Sequence, residues 1–444
     1  MRVTSWWLSA LVLVAVPVSV GAQERLPLSQ AVAAVLEANP AIRAARAAAD
    51  EAASQVPQAR AGLLPRLDVT ESWQRGNQPV FVFSSLLAQR QFAEANFDIG
   101  QLNDPDPLGH FRTALTVEQR VFDGGRTTAG VRAAELGHEI ARATARQTER
   151  DLELAATRAY GHVLVSAALQ RAAESAVTAA EADVRTAADR RDVGVGTEAD
   201  VLALQVHLAR MRARAIDARA EVRVGRAALN RLMGVALDRA YTLEEPALAP
   251  PVIEPLDARV GRALEARPES RRAAFEAQLA REMVRSARAA FLPEVVVQGA
   301  YEWNGGTFAD RASAWTVGLQ ARLNLFAGGA DLARRRAAES AVRRADAARE
   351  DVDTGIRFSV LSAVERMTSS SARQLVGAAT VAQARESERM IRDRYEAGLA
   401  GVTEVLRAAD ALLDAETLRI SAVVDAMVDR AVLAHAIAAD EVLP

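Results

Sequence analysis

Side chains that could perform chemistry are scattered along this chain and do not form a catalytic motif. The five histidines are His110, His138, His162, His207 and His435. No two stand four residues apart, none lies in an HExxH sequence, and the chain has neither a GxSxG element nor a phosphate-binding loop. Gly194-Val195-Gly196 resembles a dinucleotide fingerprint, but no strand precedes it. We therefore expect the protein not to be an enzyme and to carry no cofactor and no metal.

The overall charge and the N-terminal residues narrow the class of protein further. The formal net charge of −3 lacks the basic field that attracts nucleic acids, so we expect no nucleic-acid partner. Residues 1–22 combine Arg2, an apolar run and the small-residue site Val20-Gly21-Ala22, which predicts a secretory signal peptide. The alternative is an uncleaved anchor, although the run is shorter than the ~20 residues of a spanning helix. The chain has no cysteine, so packing must hold the fold.

The chain contains the same unit twice. Two similar helical patterns begin at Asn39-Pro40 and, 228 residues later, at Arg267-Pro268. Each of them runs up to a Leu-Pro pair. At an offset of 204 residues, the sequence Phe-x-Gly-Gly recurs, at 122–125 and 326–329. The offset between matching sequences falls once along the chain, from 228 to 204 residues. This indicates a duplication in which the first copy carries an insertion between the two matches. We predict a first repeat at 23–250, with an external loop at 76–110, and a second repeat at 251–444.

Each repeat contains two segments in which apolar and polar side chains alternate. The apolar positions are Leu67, Val69 and Trp73; Phe111, Leu115, Val117 and Val121; Val295, Val297, Tyr301 and Trp303; and Trp315, Val317, Leu319, Leu323 and Leu325. A period of two predicts half-buried strands, at about 65–75, 111–122, 293–303 and 314–326. Strands of ~9–11 residues can cross a bilayer, and aromatic residues near their ends suit a membrane interface. The alternative is a small soluble sheet.

Four strands are too few to close a barrel. The unpaired N–H and C=O groups of an open sheet edge cannot lie in hydrocarbon. If these strands are in a membrane, they must therefore pair with strands of other copies.

The rest of the chain is predicted to be helical. Long stretches without proline run from Gly125 to about Asp192 and from Gly329 to about Ala397, and each would form a helix ~100 Å long. The following helix has an apolar seam at Val201, Leu204, Leu208, Met211, Ala215, Ala218, Val222, Gly225, Leu229 and Leu232, as in a coiled coil. Glycines that permit sharp turns are Gly124, Gly125, Gly328 and Gly329 after the strands, and Gly194, Gly196, Gly398 and Gly401 in hairpin tips at about 192–197 and 395–401.

These features together resemble the outer membrane efflux protein family, the TolC-like channels. The residues that carry the resemblance are the Leu-Pro pairs, the two Phe-x-Gly-Gly sequences, Tyr395-x-x-Gly398 and Glu404-Val405-Leu406. The resemblance implies a mixed α and β membrane protein, a homotrimer in which four strands per chain form one 12-stranded β-barrel and antiparallel coiled-coil helices form an α-barrel. It further implies a passive exit duct in the outer membrane, in contact with its lipid and extending into the periplasm.

The resemblance also implies partners and site residues. A periplasmic membrane-fusion adaptor would dock at the hairpin tips, and an inner-membrane pump of the RND or ABC type, or a type I secretion ATPase, would act through it. Asp200 and Tyr395 match latch residues of the family's periplasmic gate, and Glu404 matches an acidic ring. Arg407 stands where a second acidic ring would lie, and Ala400 replaces a latch arginine. The alternative for Asp200 and Glu404 is that they stabilise helix N-termini.

One further segment has an interpretation from the residues alone. The proline-rich segment 241–255 is predicted to cross between the repeats and to add an edge strand. For the whole chain, the alternative is a secreted periplasmic coiled-coil adaptor or structural protein without a channel.

Overall fold

The computed structural model describes residues 25–244 and 254–439. The predicted signal peptide and the middle of the segment 241–255 lie outside these residues. The first repeat contains β1 (Arg25–Leu26), α1 (Leu28–Ala38), α2 (Pro40–Ala61), β2 (Arg66–Gly76), α3 (Pro79–Ala88), α4 (Ile99–Asn103), β3 (Leu108–Phe122), α5 (Arg126–Asp192), α6 (Glu198–Met233) and β4 (Thr242–Leu243). A short 3-10 helix, Glu94–Phe97, lies between α3 and α4.

The second repeat follows the same order. It contains α7 (Leu256–Ala266), α8 (Pro268–Ala289), β5 (Glu294–Gly305), β6 (Ala312–Arg322), α9 (Ala330–Glu396) and α10 (Val402–Ala436). The succession of two helices, two strands, one very long helix and a returning helix thus occurs twice. This order confirms the predicted mixed α and β fold and its internal repeat.

The helices begin and end where the local residues favour it. The Asn39 side chain accepts a hydrogen bond from the Ala41 N–H at 2.9 Å, and Pro40 occupies the first position of α2. α5 and α9 each have 67 residues, which corresponds to ~100 Å. Within the described ranges, no helix combines the length and the apolarity that crossing a membrane requires.

The helices pack as two hairpins that lie side by side. α5 packs along α6 and α9 along α10, while α8 contacts both long helices. Midway along α5, beside the end of α6, Tyr160 is fully buried, and its hydroxyl lies 2.8 Å from Leu26 O and 2.7 Å from Glu244 O. Here Thr242 and Leu243 pair in parallel with β1, so the segment after α6 does add a strand.

The seam of α6 is buried largely at the predicted positions. Buried members are Val201, Leu204, Met211, Ala215, Val222, Gly225 and Leu229. Leu208, Ala218 and Leu232 are only half-buried, whereas His207, Asn230 and Met233 are buried instead. An α-helix drifts relative to a repeat of 3.5 residues, so the buried stripe moves to neighbouring positions.

The other four strands form an antiparallel sheet in the order β2-β3-β5-β6. The register pairs Trp73 with Phe111, Leu115 with Tyr301, and Tyr301 with Trp315. One face, here called the apolar face, therefore carries Leu67, Val69, Trp73, Phe111, Leu115, Val117, Tyr301, Trp303, Trp315, Val317 and Leu319. The other, the polar face, carries Asp68, Thr70, Ser72, His110, Arg112, Thr116, Glu118, Gln298, Glu302, Asn304 and Gln320.

Two boundaries of this sheet differ from the sequence prediction. The strand predicted at 314–326 ends at Arg322, which pairs with Glu294, the first residue of β5. Pro293 precedes Glu294 and has no N–H to extend the ladder, so Leu323 and Leu325 lie exposed beyond the sheet.

The second difference concerns the external loop predicted at 76–110. β2 extends to Gly76 and β3 begins at Leu108, because these two residues still pair. Between them lie α3, the 3-10 helix and α4, since the uncharged run from Pro79 to Ala88 is long enough for almost three helical turns. We call residues 77–107 the outer insertion.

Candidate functional site

The polar face of the sheet carries paired charges. Arg120 Nε lies 2.9 Å from Glu294 Oε1, and Arg112 forms an ion pair with Glu302. These pairs join neighbouring strands, because Arg112 and Arg120 belong to β3 and their partners to β5. A face of ion pairs and neutral polar side chains is suited to contact with water.

The apolar face carries exposed aromatic side chains. Trp73 is 60% exposed and Trp315 is 71% exposed. The ring centroids of Trp73 and Phe111 lie 6.2 Å apart, and those of Tyr301 and Trp303 lie 4.7 Å apart. Glu71 and Thr113 also lie on this face and are hydrogen-bonded to each other. The rest is an exposed, largely apolar surface of the kind that lipid or another protein covers.

The glycine turns after the strands adopt the backbone conformation that the sequence suggests. Gly124, Gly125, Gly328 and Gly329 all have a positive φ, between 61° and 84°. A Cβ on Gly124 would lie 2.9 Å from the Leu292 Cβ, so only glycine fits there.

The two glycine turns are fastened differently. In the first repeat, the Asp123 carboxylate accepts hydrogen bonds from Gly125 N–H at 3.0 Å and from Thr127 N–H at 2.7 Å. Burial raises the pKa of the Asp123 carboxyl, but the hydrogen bonds from Thr127 and Gly125 outweigh it and leave the pKa below its ordinary value. Ala327 occupies the equivalent position of the second repeat and offers no such acceptor.

The opposite ends of the hairpins are tight turns, which we call the tips (193–197 and 397–401). Gly194 and Gly398 have φ values of 79° and 76° and end α5 and α9. Gly196 leaves little room for a side chain, because a Cβ there would lie 3.1 Å from Arg191 N. Gly401 is the N-cap of α10 with φ −94°, a conformation open to other residues.

Asp200 closes the N-terminus of its own helix. Its Oδ2 accepts hydrogen bonds from Thr197 Oγ1 at 2.8 Å and from Thr197 N at 3.2 Å. Its own N–H donates to Thr197 Oγ1 at 3.2 Å, which completes a capping box. Within one chain, no hydrogen bond joins the described Asp200 carboxylate to Tyr395.

Tyr395 lies in a small apolar core between the two tips. This core also contains Ala187, Val201, Leu204, Val402 and Val405. Tyr395 is 7% exposed, and burial raises the pKa of its hydroxyl although the Arg190 charge opposes the shift.

Arg190 joins the two hairpins at this core, and sequence reasoning missed it. Its Nη1 donates to Tyr395 O and to Glu396 O, both at 2.8 Å. Its guanidinium carbon also lies 4.9 Å from the centroid of the Tyr395 ring. Both acceptors are main-chain carbonyls at the end of α9, which every residue type offers, so no sequence motif predicts this contact.

Glu404 and Arg407 lie on the surface of the first two turns of α10. Both are exposed, and their spacing of three residues places them on one helix face. Val402 and Val405 turn towards the core instead. Ala400 is half-buried beside that core.

A buried charge cluster lies farther from the tips. Asp183 is 9% exposed and its Oδ1 lies 3.4 Å from Arg392 Nε, so it joins α5 to α9. Burial raises the pKa of the Asp183 carboxyl against the effect of Arg392, and burial lowers the pKa of His207 on α6. Across the described ranges, no three His, Asp or Glu side chains are grouped so that they could hold a metal.

Comparisons with known proteins agree with this geometry. The outer membrane efflux protein family matches residues 31–235 and 260–437. The chain resembles the solved outer membrane protein VceC of Vibrio cholerae at 21% identity and a TM-score of 0.80, with 92% of this chain and 95% of that chain covered. It also resembles the CmeC outer membrane channel of Campylobacter jejuni, at 16% identity and a TM-score of 0.83, with 92% of this chain and 85% of that chain covered. No curated protein matches.

A third solved structure belongs to the same group. The open state of the MtrE outer membrane channel of Neisseria gonorrhoeae matches at 19% identity and a TM-score of 0.74, over 92% of this chain and 88% of that chain. At such identities the likeness shows the fold, while the family match covers both repeats. The alternative of a coiled-coil adaptor is not supported. The chain therefore belongs to the outer membrane efflux protein family and is an efflux channel of the outer membrane that extends into the periplasm.

Proposed function

We propose that three copies of this chain form the exit duct of a tripartite efflux pump or of a type I secretion system. The observation that carries the proposal is a sheet with one apolar and one polar face, joined through glycine turns to helices ~100 Å long. The apolar face contacts outer-membrane lipid, and the polar face lines a water-filled passage. Cargo passes through passively, so the chain itself needs no catalytic residue.

The open edges of the sheet support the trimer. In the part of the chain that the structure describes, β2 and β6 each have one neighbouring strand, so their outer backbone groups lack a partner there. In hydrocarbon each unsatisfied group would cost several kcal/mol. Pairing β2 of one copy with β6 of the next satisfies both edges, and three copies with four strands each close a 12-stranded barrel.

The tips support a periplasmic partner. Gly194, Gly196, Gly398 and Gly401 lie in the tips, and three apolar side chains beside the first three of them are exposed, namely Val193 at 74%, Val195 at 64% and Leu399 at 69%. Apolar residues on a tight turn suit a protein partner better than water. We assign this surface to a membrane-fusion adaptor, through which an RND or ABC pump delivers cargo.

The tips also form the gate in this proposal. Tyr395 anchors the core between the hairpins, and Asp200 holds the start of α6 by its capping box. Glu404 and Arg407 are the exposed charges that face the neighbouring copies or the passage. Rings of opposite charge neutralise much of each other's field, so this gate selects weakly between cations and anions.

Two measurements test the proposal. The first is the protein mass in mild detergent by light scattering, for which three chains are expected. The second is the conductance of the purified protein in planar bilayers, for which discrete channel steps are expected. A protein of monomer mass that is absent from outer membranes would refute the duct.

A further inference from the structure

The outer insertion is a folded unit with its own small aromatic core. The ring centroids of Phe83 and Phe92 lie 4.8 Å apart and those of Phe92 and Phe97 lie 5.1 Å apart, both edge to face. α3 and the 3-10 helix supply two of these rings. Such stacking holds the segment in one shape.

The insertion is anchored across the end of the sheet. Gln89, at the end of α3, is 5% exposed, and its Nε2 lies 3.1 Å from Gly109 O and 3.0 Å from His110 Nδ1. The next residue, Arg90, donates from Nη2 to Ser313 O at 2.9 Å. α3 therefore starts just after β2 and packs against β3 and β5, and the side chain of the residue that follows it reaches β6.

The backbone at Arg90 indicates that this anchor matters. Arg90 has φ 56°, a left-handed conformation that glycine adopts readily and arginine does not. It ends α3 together with the hydrogen bond from Gln91 N to Leu86 O at 2.9 Å. An arginine in this position is explained by what its side chain reaches, the carbonyl of Ser313.

The insertion lies on the polar face. The Phe81 ring packs edge to face against His110 at 6.3 Å, and His110 belongs to the polar face. The loop between β5 and β6 folds to the other side, where Phe308 packs on Phe111 and Arg311 Nη2 pairs with Glu71 at 3.2 Å. The two connections at this end of the sheet thus cover opposite faces.

The insertion also presents apolar side chains that nothing in residues 25–244 and 254–439 covers. These are Val80 at 74%, Leu87 at 50%, Phe97 at 64% and Ile99 at 74% exposure. On the polar face they would meet water rather than lipid. Apolar surface in water is unfavourable, so another apolar surface is expected to cover it.

We propose that the outer insertions of three copies pack against one another across the channel axis through Val80, Leu87, Phe97 and Ile99 and close the outer mouth at rest. The inference rests on the proposed trimer, in which the polar faces surround the axis. The insertion reaches from β2 to β6, the two edges that meet the neighbouring copies, so its apolar surface continues the proposed subunit interface. A twelve-stranded barrel is also narrower than the 16–18-stranded porins that leave an open aqueous channel.

This packing gives the channel a second closure besides the tips. An apolar constriction excludes water and thereby blocks ions without a charged barrier. Cargo must displace the three insertions to leave, after which their apolar contacts and the Arg90 anchor restore the closed state.

The absence of cysteine from the chain makes a clean cross-linking test possible. We would introduce Ile99→Cys or Leu87→Cys and oxidise isolated outer membranes. Disulfide-linked pairs of chains are expected from both variants. The matched control is Phe308→Cys, which is exposed to a similar extent at 69% but lies on the apolar face, so it should give no pairs.

Conductance provides the second test. Arg90→Gly removes the anchor and keeps a residue that tolerates the left-handed turn, so it should raise resting single-channel conductance by about twofold or more. Replacement of 79–103 by a short Gly-Ser linker should do the same. A trimer with no Ile99 or Leu87 cross-links and unchanged conductance would overturn this inference and leave the duct intact. A monomer mass would overturn both.

Discussion

Arg190→Ala should release the contact that holds the two tips of one chain together. Arg190 is the described side chain of α5 that donates to the end of α9, and it does so through Nη1 to Tyr395 O and Glu396 O at 2.8 Å each. The helix dipole at the end of α9 adds to this attraction, because a cation is favoured at a helix C-terminus. Loss of the guanidinium leaves both carbonyls to water and the Tyr395 ring without its cation.

The magnitude follows from these contacts. Hydrogen bonds from a charged donor contribute about 1.5–3 kcal/mol each, but Arg190 shares one nitrogen between two acceptors and is partly in contact with water. We take about 2 kcal/mol for the whole contact. Since 1.4 kcal/mol corresponds to a factor of ten, the ratio of open to closed tips in Arg190→Ala should rise about 30-fold.

Single-channel recording in planar bilayers measures this ratio as the fraction of time spent at high conductance. Arg191→Ala is the matched control, because Arg191 pairs only with Asp192 and Glu198 of its own hairpin in the described structure. Arg190→Lys keeps the charge but not the fork, and should fall between the wild type and Arg190→Ala. If Arg190→Ala and Arg191→Ala recordings are indistinguishable from wild type, the contact does not hold the gate.

Three further outcomes can be checked on the purified protein. Asp123→Ala should lower the free energy of unfolding by about 1 kcal/mol in thermal melts, since a helix-start acceptor is lost. The pKa of Asp123 in the folded protein is below its ordinary value, so its contribution to stability is present at pH values above the ordinary pKa. The contribution is lost as the pH falls through the pKa of the folded state, so the melting temperatures of the wild type and Asp123→Ala should converge in acid. Tyr160→Phe should cost about 1–2 kcal/mol in the same assay, because buried carbonyls lose their donor, and an unchanged melting temperature would show that water replaces it. Asp200→Ala with Tyr395→Phe should raise single-channel conductance, and an unchanged value would make both residues purely structural.

The fold could be predicted from the sequence because its signals are long and repeated. The alternation in four strands and two stretches of some 67 residues without proline each point to one structure. The turn glycines were identifiable because a positive φ restricts the choice of residue, as at Gly124 and Gly328.

The details of the site could not be predicted in the same way. Arg190 contacts backbone atoms some 205 positions away, and a main-chain carbonyl leaves no mark in the residue type. The compact outer insertion depends on the hydrogen bonds of Gln89 and Arg90. Neither residue type indicates in the sequence which distant residue it will contact. His207 is buried on α6 because the buried stripe drifts around the helix. A strict seven-residue repeat does not predict a buried residue at this position.

The way in which Arg190 holds α9 has a consequence for how such a gate can vary. Its acceptors are peptide carbonyls, which every amino acid possesses, so substitutions at Glu396 leave the fastening in place. Position 190, in contrast, needs a long fork of donors, and lysine is only a partial substitute. The residues at the end of α9 can therefore change during adaptation to new partner proteins without loss of this contact, whereas the contact depends on arginine at position 190.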